Sequence, residues 1–214
     1  MKDLNDYRKS YEKSELLETS ISENPITLFD SWFQEAENSK TIDEVNAMTV
    51  STFGLDGFPK SRVVLLKQYS EAGFIFYTNY NSEKGKAIQK NPNVCLSFFW
   101  HSLERQIIIK GIAKKVSAEI SDAYFASRPK GSQLGAVVSN QSETIYSRAV
   151  LEQKLAALEL EFADKVIPRP ENWGGFIVKP LEIEFWQGRP NRLHDRICFK
   201  MHNDFSWEMK RLSP

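Results

Sequence analysis

The chain has 214 residues with 28 basic and 28 acidic side chains, so its formal net charge is zero. This length allows one domain, or one domain with an arm, and a core that needs no disulfide or metal. Zero net charge argues against a protein that coats nucleic acid, and no apolar run approaches the roughly 20 residues of a membrane helix. The N-terminal residues lack the apolar segment of a signal peptide, so we expect a cytoplasmic protein without nucleic-acid or membrane partners.

The element pattern changes along the chain from polar, to helical, to strand-like. Residues 1–23 are polar and charged, which predicts a mobile arm ahead of a single domain over 24–214. Asn24 and Pro25 are typical of a helix start, and apolar residues then recur every three to four positions. From residue 47 the period changes to two, as in strands. The predicted elements after the first helix are strands over 47–53, 60–68 and 73–78, a helix over 82–90, strands over 94–100 and 106–116, helices from Ser117 to Arg128 and from Ser147, and strands near 174–186, 194–200 and 205–210.

Short turns between neighbouring strands favour antiparallel pairing. The order of elements predicts an α+β fold on an antiparallel barrel or strongly curled sheet. The histidines and cysteines show no metal-ligand spacing, and the chain lacks a glycine-rich phosphate loop. No metal site is therefore predicted, and a phosphorylated ligand would have to be held by cationic and hydroxyl side chains.

The segment from Arg192 to Arg196 carries three potential cations. In a strand, Arg192, His194 and Arg196 would share one face, which favours an anion or an electron-rich ring there. An exposed basic face paired with glutamates is the alternative. Trp186 lies just upstream and is either a surface for a flat ring or part of the core.

Tyr124 and Arg128 lie four residues apart on a predicted helix and so share a face, with Ser132 expected in the loop after Pro129. An arginine fork between two hydroxyls suits a phosphate monoester. Surface helices often carry Tyr and Arg, so this pattern alone leaves both interpretations open.

Two further basic groups could meet an anion. The odd spacing of Arg62 and Lys67 lets them meet one ligand only if a bulge or a strand end intervenes. Ser82-Glu83-Lys84 at a predicted helix N-terminus is either an anion site or ordinary capping.

Several long motifs follow one another in order, namely Arg62–Lys67, Phe76–Asn79, Trp100–Gln106, Tyr124–Pro129, Ser139–Ser142, Trp173–Phe176, Glu184–Gly188 and Arg192–Arg196. With these motifs the chain resembles the pyridoxine/pyridoxamine 5′-phosphate oxidase family. The resemblance implies an FMN-binding split β-barrel that works as a homodimer with FMN at the subunit interface. It also implies oxidation of pyridoxamine 5′-phosphate and pyridoxine 5′-phosphate to pyridoxal 5′-phosphate, with O₂ reduced to hydrogen peroxide.

The resemblance further implies residue roles. FMN would be bound, partly from the partner subunit, by Arg62, Val63, Val64, Leu65, Leu66, Lys67, Tyr77, Thr78, Ser82, Lys84, Gln106, Gln141, Ser142, Trp186 and Arg196. Substrate would be bound by Arg8, Tyr11, Lys67, Tyr124, Arg128, Ser132, Arg192 and His194. Within this group, the substrate-phosphate set would be Lys67, Tyr124, Arg128 and Ser132. Arg8 and Tyr11 would close the site from the arm, and Arg192 and His194 would be the catalytic residues over the pyridine ring.

Glu83 departs from the family pattern, which commonly has at this position an arginine that helps to hold the FMN phosphate. A hydrogen bond to a charged group contributes roughly 1.5–3 kcal/mol, so we hypothesise weaker FMN binding in this chain. The alternative is that Glu83 faces solvent and favours the helix dipole.

Three other functions stay open: a flavin reductase of the same fold, a non-catalytic carrier of FMN or pyridoxal phosphate, and a nucleic-acid-binding barrel. The first is disfavoured because FMN binding alone requires neither the substrate-phosphate set nor Arg192-Leu193-His194. A colourless protein that takes up no flavin would favour the third.

Overall fold

The computed structural model describes all 214 residues, and its order of elements confirms the predicted α+β class. The helices are α1 (Pro25–Ser39), α2 (Glu83–Lys90), α3 (Ala118–Ser127), α4 (Lys130–Val138) and α5 (Arg148–Glu161). The strands are β1 (Ala47–Phe53), β2 (Pro59–Leu65), β3 (Gln68–Ser70), β4 (Gly73–Asn79), β5 (Asn93–Trp100), β6 (Arg105–Lys115), β7 (Trp173–Gln187), β8 (Asp195–Met201) and β9 (Trp207–Leu212). None of the helices combines the length and the apolar character needed to cross a bilayer.

The strands form one sheet with the path β2-β1-β5-β6-β7-β4-β3, and β8 and β9 continue from β7. The pairs β3–β4, β4–β7, β7–β8 and β8–β9 are antiparallel, as predicted. The 15-residue β7 pairs with β4 near its start and with β8 near its end. The two ends of this long strand therefore have different neighbours in the sheet.

Backbone contacts divide the chain into two compact units. The first consists of residues 1–50, 95–111 and 180–214, and the second of residues 51–94 and 112–179. The expected boundary between an arm over 1–23 and one domain over 24–214 stays a prediction.

Helix α1 supplies much of the aromatic core of the first unit. Asn24 caps the helix by accepting backbone N–H groups through its side chain, as its position before a proline predicts. The buried rings of Phe29 and Trp32 contact Phe98 of β5 and Phe185 of β7 at centroid distances of 5.3 and 5.2 Å. The predicted amphipathic helix is confirmed, because its apolar face is the buried one.

One apolar cluster in the second unit contains Phe125 of α3, Leu134 of α4 and Trp173 of β7. Leu155 and Leu158 of α5 pack against this cluster. The predicted apolar face of the last helix is thus confirmed. Helices α3, α4 and α5 thus pack together with the start of β7, and this packing positions residues of the candidate site.

Two predicted segments near the basic residues have different conformations in the structure. Ser132 does not lie in a loop, because the chain after Pro129 starts α4 at Lys130 and Ser132 falls in its first turn. Proline is well suited to the position before a helix, but it also interrupts the spacing by which helices are recognised. The strand predicted over 60–68 ends at Leu65, so Lys67 lies beyond the strand end.

The prediction that Arg192, His194 and Arg196 share one strand face is wrong. Pro190–Arg192 forms a short 3₁₀ turn, and Arg192 has a left-handed φ of 62°. A residue in that region cannot continue a strand, and β8 begins only at Asp195. Arg196 is thus a strand residue, whereas Arg192 and His194 belong to the connection before it.

Candidate active site

The second unit contains a cavity of about 660 Å³, within the usual range for small-molecule sites. Its walls come from the end of β2, β4, the first turn of α2, α3, α4 and the start of β7. The lining residues are Val63, Val64, Leu65, Lys67, Tyr77, Thr78, Asn79, Lys84, Tyr124, Arg128, Pro129, Ser132, Gly135, Ala136, Ser139, Gln141 and Trp173. The cavity thus gathers the predicted phosphate set and much of the predicted flavin set.

The four residues expected to bind a substrate phosphate, Lys67, Tyr124, Arg128 and Ser132, all line this cavity. Tyr124 lies on α3, Arg128 directly follows that helix, and Ser132 lies on α4. Nη1 of Arg128 is buried without a hydrogen-bond partner, and burial lowers the pKa of this guanidinium. A buried donor without a partner is costly, so the arrangement favours an anion in the cavity.

Three nearly parallel aromatic rings line the cavity, and one of them contacts Arg128. The ring centroids of Tyr77 and Tyr124 lie 3.8 Å apart, and that of Trp173 lies 5.6 Å from Tyr77 and 6.2 Å from Tyr124. The guanidinium carbon of Arg128 is 4.6 Å from the Trp173 ring centroid, within range of a cation–π contact. Burial raises the pKa of Tyr77, so its hydroxyl remains protonated at neutral pH.

A second polar group lies at the start of α2. Ser82 caps the helix by accepting the N–H of Gly85 at 3.2 Å. The ammonium of Lys84 donates to Oγ1 of Thr78 at 3.0 Å and to Oε1 of Gln141 at 3.2 Å. Burial, together with the charge of Arg62, lowers the pKa of Lys84. The structure thus joins Thr78, Lys84 and Gln141, which the family resemblance predicted for FMN.

Glu83 is held by two cations of the neighbouring strand β2. Its carboxylate forms ion pairs with Lys60 and, at 2.5 Å, with Arg62, and the Lys60 hydrogen bond is the main cause of its lowered pKa. The backbone N–H of Glu83 donates to Oγ of Ser142 at 3.2 Å. Arg62 faces Glu83 and is not among the cavity-lining residues. The flavin roles of Arg62 and Ser142 stay predictions.

Tyr11, Trp186 and His194 form an aromatic group in the first unit. Tyr11 meets the Trp186 ring edge-on at 5.8 Å, and its centroid lies 5.8 Å from that of His194. Trp186 and His194 are 4.7 Å apart. Nδ1 of His194 accepts the backbone N–H of Arg189 at 3.0 Å. Burial, followed by the charge of Arg192, lowers the pKa of His194, so its imidazole is neutral at neutral pH.

The other predicted residues of the first unit are more dispersed. Arg196 pairs with Glu184 through two hydrogen bonds of 2.8 and 3.1 Å, and Arg192 is exposed. Arg8 is exposed and donates to the carbonyl of Asn5 within the arm, and Gln106 is half-buried on β6. Their expected ligand contacts stay predictions.

Sequence reasoning assigned no role to several lining residues, above all Trp173, Asn79 and Ser139. Trp173 and Ser139 each begin a family motif, and Asn79 ends another, which is the only sequence signal that could have pointed to them. Leu66 shows the converse, because it was predicted for FMN but lies buried and away from the lining.

The motifs and the cavity together can be compared with known proteins. A family model described as pyridoxamine 5′-phosphate oxidase matches residues 35–161, and one described as pyridoxine 5′-phosphate oxidase C-terminal dimerisation region matches residues 173–214. The chain belongs to the pyridoxine/pyridoxamine 5′-phosphate oxidase family. The resemblance drawn from the motifs is confirmed, and the chain is an oxidoreductase of this family.

Relatives in this oxidase family match the chain over its whole length. Pyridoxine/pyridoxamine 5′-phosphate oxidase from Flavobacterium psychrophilum is 69% identical over 214 residues, covering 100% of both chains. The enzyme of the same name from Flavobacterium johnsoniae is 70% identical over 213 residues, again covering 100% of both.

Solved structures agree on the fold. PhzG from Burkholderia lata, in complex with tetrahydrophenazine-1-carboxylic acid, is 26% identical with a TM-score of 0.86, covering 95% of this chain and 100% of its own. A pyridoxamine 5′-phosphate oxidase-related, FMN-binding protein from Nostoc punctiforme is 14% identical with a TM-score of 0.69, covering 91% and 100%. The predicted split β-barrel with flanking helices is confirmed.

Proposed function

We propose that this oxidase converts pyridoxamine 5′-phosphate and pyridoxine 5′-phosphate to pyridoxal 5′-phosphate, a reaction of vitamin B6 metabolism. The observation that carries the proposal is the buried Nη1 of Arg128, which has no hydrogen-bond partner and belongs to a cavity also lined by Lys67, Tyr124 and Ser132. A planar fork of N–H donors, an ammonium and two hydroxyls match the oxygens of a phosphate monoester. A flavin reductase of this fold would not need this set in addition to the polar group at α2.

The donor set at α2 fits FMN as the cofactor. Lys84, Thr78 and Gln141 offer an ammonium, a hydroxyl and an amide at one wall, next to the first turn of a capped helix. When bound, FMN supplies a hydride acceptor. The proposed binding set is Arg62, Val63, Val64, Leu65, Leu66, Lys67, Tyr77, Thr78, Ser82, Lys84, Gln106, Gln141, Ser142, Trp186 and Arg196.

The proposed reaction balances without a metal. The substrate loses two electrons and two protons from its exocyclic carbon and the attached nitrogen or oxygen. The alcohol gives the aldehyde directly, whereas the amine gives an imine that water hydrolyses to the aldehyde and ammonia. O₂ takes up the two electrons and two protons as hydrogen peroxide.

The contribution of the protein to this reaction is mainly position. Lys67, Tyr124, Arg128 and Ser132 would anchor the phosphate and so fix the distance from phosphate to reacting carbon. We assign to Arg192 and His194 the orientation of the pyridine ring and the stabilisation of negative charge on its 3-oxygen. Because Nδ1 of His194 accepts an N–H, its proton lies on Nε2, which can donate to that oxygen.

The match of residues 173–214 to the dimerisation region supports a homodimer, and we propose that FMN lies at the subunit interface. Arg8 and Tyr11 would help to close the site from the arm. The cytoplasmic location expected from the sequence stays a prediction.

The proposal is tested by the visible spectrum of the FMN-loaded protein under anaerobic conditions. Pyridoxamine 5′-phosphate should bleach the flavin band, and air should restore it with release of hydrogen peroxide. Unphosphorylated pyridoxamine at the same concentration is the control and should leave the band unchanged. A flavin band that persists with the phosphorylated amine and alcohol would refute the proposal and favour a carrier.

A further inference from the structure

Glu104 is a buried carboxylate in the first unit that the proposed reaction does not use. It follows the 3₁₀ turn His101–Leu103 and precedes β6. Only 2% of the residue is exposed, and its φ of 58° lies in the left-handed region, which a glutamate seldom adopts. A buried charge in an unfavourable backbone conformation persists only where its surroundings hold it.

The side chain of Glu104 binds only to the N-terminal arm. Its Oε2 accepts the backbone N–H groups of Glu12 at 2.8 Å and Lys13 at 3.1 Å, and its Oε1 lies 3.3 Å from the ammonium of Lys9. Burial alone raises the pKa of Glu104, but these donors outweigh it, so the pKa is lowered. The carboxylate is therefore charged at neutral pH and fixes the arm by charge-assisted hydrogen bonds.

The backbone of Glu104 binds the end of β7. Its carbonyl accepts the N–H of Gly188 at 2.7 Å and the side-chain amide of Gln187 at 3.3 Å. The next residue, Arg189, donates its backbone N–H to His194. One residue thus joins the arm to the segment that carries Arg192 and His194.

Tyr11 lies between the arm residues held by the Glu104 carboxylate and Gly188, which is held by the Glu104 carbonyl. Its ring contacts Trp186 and His194, and it rests on Gly188, where an added Cβ would come within 2.8 Å of the ring. Tyr11 directly precedes Glu12, whose N–H Glu104 binds. The placement of the Tyr11 ring therefore depends on that bond.

A second attachment holds the arm further along the chain. The carboxylate of Asp195 accepts the N–H of the buried Leu16 at 3.1 Å, and Glu18 pairs with Arg211 at 2.6 Å. These contacts do not involve Glu104. Loss of the Glu104 carboxylate should therefore loosen residues 9–13 and leave residues 16–18 in place. The loosened segment would keep one side-chain bond, from Nζ of Lys13 to the carbonyl of Ser102 at 2.6 Å.

We propose that Glu104 is a positioning residue that latches arm residues 9–13, so that Tyr11 covers Trp186 and His194 at the substrate ring. The catalytic part of this inference rests on the proposed function, in which His194 contacts the substrate. The latch itself is a property of the free enzyme. It can therefore be tested before any substrate is added.

The direct test is hydrogen exchange of the FMN-loaded enzyme, read in peptides covering residues 9–14. Glu104→Asn shortens the side chain by one methylene and replaces the carboxylate with an amide, which cannot reach the arm. Asparagine tolerates the left-handed backbone at this position. Because a hydrogen bond to a charged group contributes roughly 1.5–3 kcal/mol, exchange at Glu12 and Lys13 should accelerate about tenfold or more. Glu18→Gln is the matched control and should leave these two amides protected.

Kinetics test whether the latch acts through Tyr11. Glu104→Asn and Tyr11→Ala should each raise KM for pyridoxamine 5′-phosphate, and the double variant should match Tyr11→Ala alone. Additive effects, or unchanged exchange at residues 9–14 in Glu104→Asn, would overturn the proposal. If Glu104→Asn does not fold, Glu104→Gly also removes the carboxylate and adopts a left-handed φ without strain, and unchanged exchange in that variant would overturn it equally. Faster exchange in an enzyme that oxidises no substrate would sustain the latch and refute only the proposed function.

Discussion

Arg189 donates its backbone N–H to Nδ1 of His194 over 3.0 Å, and this bond determines which ring nitrogen carries the proton. The neutral imidazole must then hold its proton on Nε2. A second proton at Nδ1 would break the bond, which agrees with the lowered pKa of His194. His194 therefore acts as a hydrogen-bond donor in the proposed mechanism and is poorly placed to remove a proton through Nδ1.

We expect NMR titration of the ring protons to give His194 a pKa below its ordinary value of 6.5. The unfolded chain then binds the proton more readily than the folded enzyme, so this group lowers stability as pH falls through 6.5 and contributes nothing well above it. His194→Gln assigns the signal and should reduce the loss of stability on acidification. A His194 resonance that titrates at or above 6.5 would contradict this account.

Arg192→Asn should lower kcat/KM for pyridoxamine 5′-phosphate by about a hundredfold or more while FMN stays bound, since a charge contact to the reacting ring is lost. Asparagine is chosen because it tolerates the left-handed φ of 62° at this position, where leucine would add strain. Steady-state kinetics and the flavin absorbance of the same preparation provide the two measurements. Turnover close to that of the unmodified enzyme would remove Arg192 from the mechanism.

Arg128→Ala should raise KM for the phosphorylated substrates roughly ten- to hundredfold and change kcat less, because anchoring of the phosphate is largely uniform binding. Arg128→Lys keeps the charge but loses the planar fork and the contact with Trp173, so we expect an intermediate KM. Arg148→Ala, on the exposed face of α5, is the matched control. An unchanged KM in Arg128→Ala would place the phosphate elsewhere.

Glu83→Gln should tighten FMN binding by about threefold. The wild-type carboxylate competes with FMN for Arg62 and places a negative charge near Lys84, and the substitution removes both effects. Quenching of FMN fluorescence on binding gives the dissociation constant. Glu161→Gln, at the end of α5, is the control for a general change in charge. A weaker binding of FMN in Glu83→Gln would show instead that Glu83 contributes by holding Lys60 and Arg62 in place.

The parts of the fold and site that could be predicted are those encoded by local spacing. Tyr124 and Arg128 line the same cavity, as their spacing of four residues predicts, although Arg128 is the residue that follows α3. Ser82 caps α2 because its side chain reaches only nearby N–H groups. The family motifs added the flavin set, which no local pattern contains. Ser132 was misplaced because Pro129 separates two helices that follow each other directly.

What could not be predicted depends on distant or backbone partners. Glu83 forms ion pairs with Lys60 and Arg62, which are 23 and 21 residues away. Neither prediction for Glu83, weaker FMN binding or exposure to solvent, included such a pair. The partner of His194 is a backbone N–H, which has no residue type to recognise. The role of Glu104 could not be predicted for the same reason, since its carboxylate accepts main-chain N–H groups 92 and 91 residues away.

Gly188 has a consequence for the history of this surface. Because a Cβ at this position would lie 2.8 Å from the ring of Tyr11, the two positions cannot enlarge independently. Homologues that have acquired a side chain at position 188 should also have replaced the aromatic ring at position 11 or rerouted the arm. Covariation between these two columns, 177 positions apart by their numbering, would record that Tyr11 and Gly188 have evolved as one fitted contact.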